Sequence, residues 1–84
     1  MVWFIWLGGA MLRERVQSSH IASVGYDEEQ QIMEIVFHDG RVYHYLEVPP
    51  ERVLSLLRAE SKGRFLNSDI KPHFQYRAVG RRWG

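Results

Sequence analysis

The sequence predicts a small α+β domain: an antiparallel sheet in the order β-β-β-α-β, with one main helix packed on one face and a short helical turn after it. Three observations carry that prediction. Asp39-Gly40 stands between two runs rich in β-branched and aromatic residues, Pro49-Pro50 opens a stretch of helical apolar spacing, and residues 74–79 alternate. At 84 residues the chain has room for one domain and one core. A chain of that length buries only roughly 60% of its unfolded surface. With 45% hydrophobic and 25% charged residues, the composition argues against a largely disordered chain. The absence of cysteine excludes disulfides, thiolate nucleophiles and Cys-based zinc sites, and fits a cytoplasmic, reducing environment.

Residues 1–15 read as an apolar N-terminal extension to a domain over 16–79, followed by a basic tail over 80–84. The opening apolar run, Met1 to Leu12, is shorter than the roughly 20 residues of a membrane-spanning helix and lacks the cationic start of a secretory signal. Two readings of it stay open. Translation from Met11 would make residues 1–10 an upstream extension; alternatively Trp3, Phe4, Ile5 and Trp6 pack on the domain or on a second copy.

The first strand is expected over Ile21–Tyr26, stopped by the acidic Asp27-Glu-Glu-Gln30. The hairpin follows, with strands over Gln31–Phe37 and Arg41–Val48. A two-residue Asp39-Gly40 turn of type I′ would set Phe37 opposite Val42, Ile35 opposite His44 and Met33 opposite Leu46 on a core face. Val36–Tyr43, Glu34–Tyr45 and Ile32–Glu47 would then form a second, half-buried face. Pro49-Pro50 ends the strand and suits a first helical turn, with Glu51 at the positive end of the helix dipole. Val53, Leu54, Leu56, Leu57 and Ala59 make the apolar stripe, and Gly63 is available as a left-handed stop. Arg64–Asn67 predicts a further turn, and the last strand places Phe74, Tyr76 and Ala78 on one face.

No catalytic template is satisfied, so the chain is not read as an enzyme. Asp27, Glu28 and Glu29 lie in a solvated turn, whereas a general acid needs a raised pKa. His20, His38, His44 and His73 have no metal-ligand spacing; no metal or cofactor is implied. On the expected core face, His44 reads as a packing residue. Ser61-Lys62 resembles a helix stop, and no phosphate-binding glycine loop is present.

Charge is the informative quantity. Residues 27–60 hold eight acids and three bases, a balance of −5, and residues 61–84 hold six bases and one acid, a balance of +5. Tyr43 and Tyr45 project from one side of a strand, while Lys62, Arg64, Lys71 and Arg77 lie in the basic half among Phe65, Phe74 and Tyr76. Aromatic platforms beside cations are what single-stranded RNA or DNA recognition requires. The same aromatics would also serve the core of so small a domain. A protein partner, self or other, reached through an open sheet edge or the apolar opening, is the competing class.

The run Ser18-Ser-His-Ile-Ala-Ser-Val-Gly-Tyr-Asp27, then Gly40-Arg-Val-Tyr-His-Tyr45, Val48-Pro49, Ala59-Glu-Ser-Lys-Gly-Arg-Phe-Leu-Asn67 and Ile70-Lys71 resembles the KTSC domain family. The likeness spans roughly residues 16–76, and its hallmark Tyr-x-Tyr is Tyr43-His44-Tyr45. That family is named for the C-terminal extension of some lysyl-tRNA synthetases and includes short bacterial and phage-type proteins. The resemblance implies a small binding domain with an association to RNA, and it supplies no catalytic residue to carry over.

Overall fold

The computed structural model describes residues 12–15 and 20–81. The α+β class and the single main helix are as expected, with a five-stranded antiparallel sheet in the order β1-β2-β3-β4-β5. Its strands are β1 (Leu12–Arg15), β2 (Ile21–Asp27), β3 (Ile32–Phe37), β4 (Arg41–Tyr45) and β5 (Tyr76–Arg81). Between β4 and β5 the chain forms helix α1 (Pro50–Arg58), a short helix α2 (Lys62–Phe65) and a π-helical turn (Leu66–Ile70). β1 is an addition to the expected order: Leu12–Arg15, assigned to the apolar extension, pairs with Ser23–Tyr26 of β2. The rest of the apolar opening and the tail from Arg82 lie outside the described residues.

The β3–β4 register differs from the expectation by one residue, and this is the largest correction to the sequence reading. The pairs are Val36–Val42, Ile35–Tyr43, Glu34–His44 and Met33–Tyr45. The loop therefore has three residues, His38-Asp39-Gly40. The Gly40 amide bonds the Phe37 carbonyl at 2.9 Å, and only Gly40 has positive φ, at 91°. A type I′ turn would need positive φ at Asp39 as well. Asp39 instead turns its carboxylate onto the next residue, accepting from the Arg41 amide at 3.0 Å and from Arg41 Nε at 2.7 Å. Because side chains alternate, the slip exchanges the two faces of β4. Tyr43 and Tyr45 join Ile35 and Met33 on the helix side; His44 turns outward beside Glu34.

The core lies under α1 and the π-helical turn. Ile21, Val24, Tyr26, Met33, Ile35 and Tyr45 from the sheet meet Val48, Val53, Leu56, Leu66 and Ile70. Within the predicted stripe Val53 and Leu56 are buried, whereas Leu54 is exposed, since one step of 100° turns it off the packed face. The approach to α1 is held at the β2–β3 turn end of the sheet, where β4 also ends. The Tyr26 hydroxyl donates to the Val48 carbonyl, and the Val48 amide bonds the Gln31 carbonyl at 2.8 Å. Gly63 is not the stop of α1. Ala59 ends that helix in an extended conformation, and Ser61 caps α2 by accepting from the Arg64 amide at 3.4 Å.

β5 forms one edge of the sheet. Its register jumps from Tyr43–Ala78 to Val42–Gly80, leaving Val79 as the extra residue of a bulge, with Gly80 at φ 124°. Bulges and cationic side chains blunt an edge against strand addition.

Candidate nucleic-acid interface

The corrected register decides where each candidate side chain stands. Tyr45 is only 1% exposed and belongs to the core, so it offers no face to a base. Burial, together with the nearby Tyr76 and Tyr43, pushes its hydroxyl pKa from 10 to about 12. Tyr43 is half-buried on the same side. His44, expected in the core, instead places Nε2 2.9 Å from Oε2 of the buried Glu34 on the outer face.

An aromatic row nevertheless reaches the surface. Phe37 meets Tyr43 edge-on at 5.3 Å between centroids, and Tyr43 stacks on Tyr76 at 5.2 Å and 16°. Tyr76 is 42% exposed. A cation caps each end of the row. Arg41 Cζ lies 5.7 Å from the Phe37 centroid, and Lys71 Nζ lies 5.9 Å from the Tyr76 centroid. The alternation of β5 turns Tyr76 and Ala78 to this side, as the sequence predicts, and sends the exposed Arg77 to the outer face opposite His44. Arg77 therefore does not join the tyrosines.

Of the remaining predicted cations, Arg64 is exposed on α2. Lys62 is half-buried, with Nζ donating to the Ala59 carbonyl at 3.2 Å. That bond closes the end of α1, and Lys62 reads as structural rather than as a ligand contact. Arg52, never a candidate, is likewise engaged, donating to the Asp69 carbonyl at 3.0 Å and lying over Phe74.

Charge is segregated along the strands. The β2–β3 turn carries the exposed Glu28 and Glu29 beside Asp27. Burial, then Glu28, Glu51 and Asp27, push the Tyr26 hydroxyl up to about 12, marking this end as anionic. At the opposite end Arg41 and Arg81 occupy directly paired positions.

At that cationic end a cleft of about 200 Å³ opens between the β3–β4 hairpin and α2, lined by His20, Ile21, Phe37, Arg41, Gly63, Leu66 and Asn67. A backbone bond from the His38 amide to the His20 carbonyl, 2.9 Å, holds its rim. Sequence reasoning singled out neither this cleft nor Arg41 and Asn67. Its lining comes from three separated segments that only the topology unites. Among the described residues no cluster of His, Asp and Glu could hold a metal ion, and no helix is long and apolar enough to cross a membrane.

This small helix-covered meander is a known type of domain. The KTSC domain profile matches residues 17–74, and the chain belongs to that family. A crystal structure of a KTSC domain protein from Yersinia pestis superposes with a TM-score of 0.80 at 42% identity, covering 84% of this chain and all of the other. An uncharacterized protein of Stutzerimonas stutzeri strain A1501 is 51% identical over 67 residues, covering 79% of this chain and 94% of its own. A protein of Tsukamurella paurometabola is 50% identical over 60 residues, covering 71% of this chain and 90% of its own.

Proposed function

We propose that this domain binds single-stranded nucleic acid, RNA before DNA, along the aromatic row and the cationic end of the sheet. The observation that carries the reading is the row Phe37–Tyr43–Tyr76 with Arg41 and Lys71 at its two ends. Tyr76 supplies the accessible ring for a base, Tyr43 stiffens it from behind, and Arg41, Lys71 and Arg64 hold phosphates. Base–aromatic stacking contributes about 1–3 kcal/mol per base, and it tolerates any sequence because every base has a π-face. A protein partner, self or other, is less well supported: the bulge at Val79 and the arginine at 77 blunt the β5 edge that such a partner would use.

The test is fluorescence anisotropy with labelled single-stranded RNA and DNA oligomers across a range of salt. Affinity is expected to fall linearly on a log–log plot, by about 0.7 in slope per phosphate contact. Arg41→Ala with Lys71→Ala should flatten that slope by about 1.4. Binding that ignores salt, or no binding to either oligomer, refutes the proposal.

A further inference from the structure

The cleft between the β3–β4 hairpin and α2 is built unlike the open aromatic row, and its lining sorts by chemistry. Ile21 and Leu66 are buried at its floor with the half-buried Phe37, while His20, Arg41 and Asn67 are exposed around it. Asp39 engages Arg41 through Nε. Its Nη groups make no hydrogen bond or ion pair among the described residues and can meet an anion. The Asn67 amide, with a donor and an acceptor, likewise has no partner among the described residues. Gly63 forms part of the wall; a Cβ there would lie 3.4 Å from His20 Cδ2, an ordinary contact, so the position accepts a side chain that would project at the cleft.

We propose that this cleft receives one nucleotide unit, its base against Phe37 above the buried Ile21 and Leu66, its base edge at Asn67 and its phosphate at Arg41. The inference rests on the nucleic-acid reading above and deepens it by naming what enters the cleft. Three features select that ligand. An apolar floor has no use for inorganic phosphate alone, and an arginine at the mouth has no use for a neutral ring alone. The volume lies below the roughly 300 Å³ at which sites for drug-sized ligands begin, so a single ring system fits and a stacked dinucleotide does not. Asp39 opposes an anion, but its pair with Arg41 is half exposed on both sides, and exposed pairs contribute little. The guanidinium can turn from Asp39 to a phosphate at small cost. The same chemistry arises in a free mononucleotide and in a terminal or unstacked nucleotide of a longer strand.

Amide chemical-shift mapping on the full chain separates these sources. The probes are adenosine 5′-monophosphate, adenosine, inorganic phosphate and a 5′-phosphorylated single-stranded RNA hexamer. The monophosphate is expected to shift Phe37, Gly63 and Asn67, and to bind at least about tenfold more tightly than adenosine, which lacks the charge-assisted contact at Arg41, or than phosphate, which lacks the contacts of the base with Phe37 and Asn67. Arg41→Ala, at an exposed position, should remove that advantage over adenosine. Gly63→Met, which the backbone accepts because φ there is not positive, should fill the cleft and abolish the shifts while leaving the remaining spectrum unchanged. Cleft shifts with the monophosphate but none with the hexamer support the inference and refute the strand-binding reading. Hexamer shifts at Tyr76 and Lys71 with none in the cleft refute the inference and keep that reading. Equal affinity for inorganic phosphate and the monophosphate refutes the nucleotide assignment.

Discussion

Replacing Tyr45 by alanine separates the structural tyrosines from the exposed one. Tyr45 is the last residue of the interior strand β4, paired with Met33 on one side and Tyr76 on the other, and is 1% exposed. Truncating a buried aromatic removes its transfer free energy and leaves a cavity that surrounding residues fill only in part, a loss of about 3–5 kcal/mol. The ring also loses its contact with Tyr76, at 5.1 Å between centroids, worth about 0.5–1.5 kcal/mol within that range. A domain of this size has a total stability of about 5–10 kcal/mol, so Tyr45→Ala should consume much of it. Tyr76→Ala, at an exposed edge, should cost about 1 kcal/mol or less and should weaken oligomer binding by about 1–3 kcal/mol. Urea titration measures the first quantity, as a lower midpoint at constant slope; anisotropy measures the second. If Tyr45→Ala shifted the midpoint by less than about 1 kcal/mol while abolishing RNA binding, the corrected register and the roles drawn from it would both be wrong.

Alkaline pH should unfold the protein in a defined window. The Tyr26 and Tyr45 hydroxyls stand at about 12 in the fold against 10 when unperturbed, chiefly through burial. A raised folded pKa contributes stability that is intact below 10 and is lost as pH climbs through 12, about 2–3 kcal/mol for each tyrosine. Denaturant midpoints that stay flat from pH 9 to 12 would contradict it. Gly40→Ala should destabilise by about 1 kcal/mol, because φ there is 91° and a Cβ strains the three-residue loop; thermal unfolding reads the shift, and an unchanged melting temperature would remove the left-handed requirement.

The elements were legible in the sequence because each has a local cause. The proline pair starts α1, and the alternation of Tyr76 and Ala78 fixes which side of β5 faces inward. What was not legible depended on contacts between segments. Asp39-Gly40 signals a hairpin but leaves its loop at two or three residues, and the choice falls to the Asp39 carboxylate turning onto Arg41. Nothing local reveals that Leu12–Arg15 has a pairing partner in β2 or that Leu66 leads a π-helical turn. The division of charge between two halves of the chain does not map onto two ends of the sheet: Arg41, from the acidic half, stands at the β3–β4 turn, and Lys71, from the basic half, lies over Tyr76, which pairs with Tyr45.

That third loop residue also makes the aromatic surface compatible with an anion. In a two-residue loop Tyr45 would stand opposite Glu34, and the tyrosine side of the hairpin would carry a carboxylate. The slip sends Glu34 to the outer face, where His44 meets it at 2.9 Å, and leaves Phe37, Tyr43 and Tyr76 on the other side with Arg41 and Lys71. An unscreened carboxylate about 4 Å from a phosphate would oppose binding by about 4 kcal/mol near a protein surface, more than one stacked base supplies. Strand parity therefore sorts charge as well as hydrophobicity here. The buried acid of β3 lies across the sheet from the row, and Asp39, exposed at the turn, is paired with the arginine that a ligand would share.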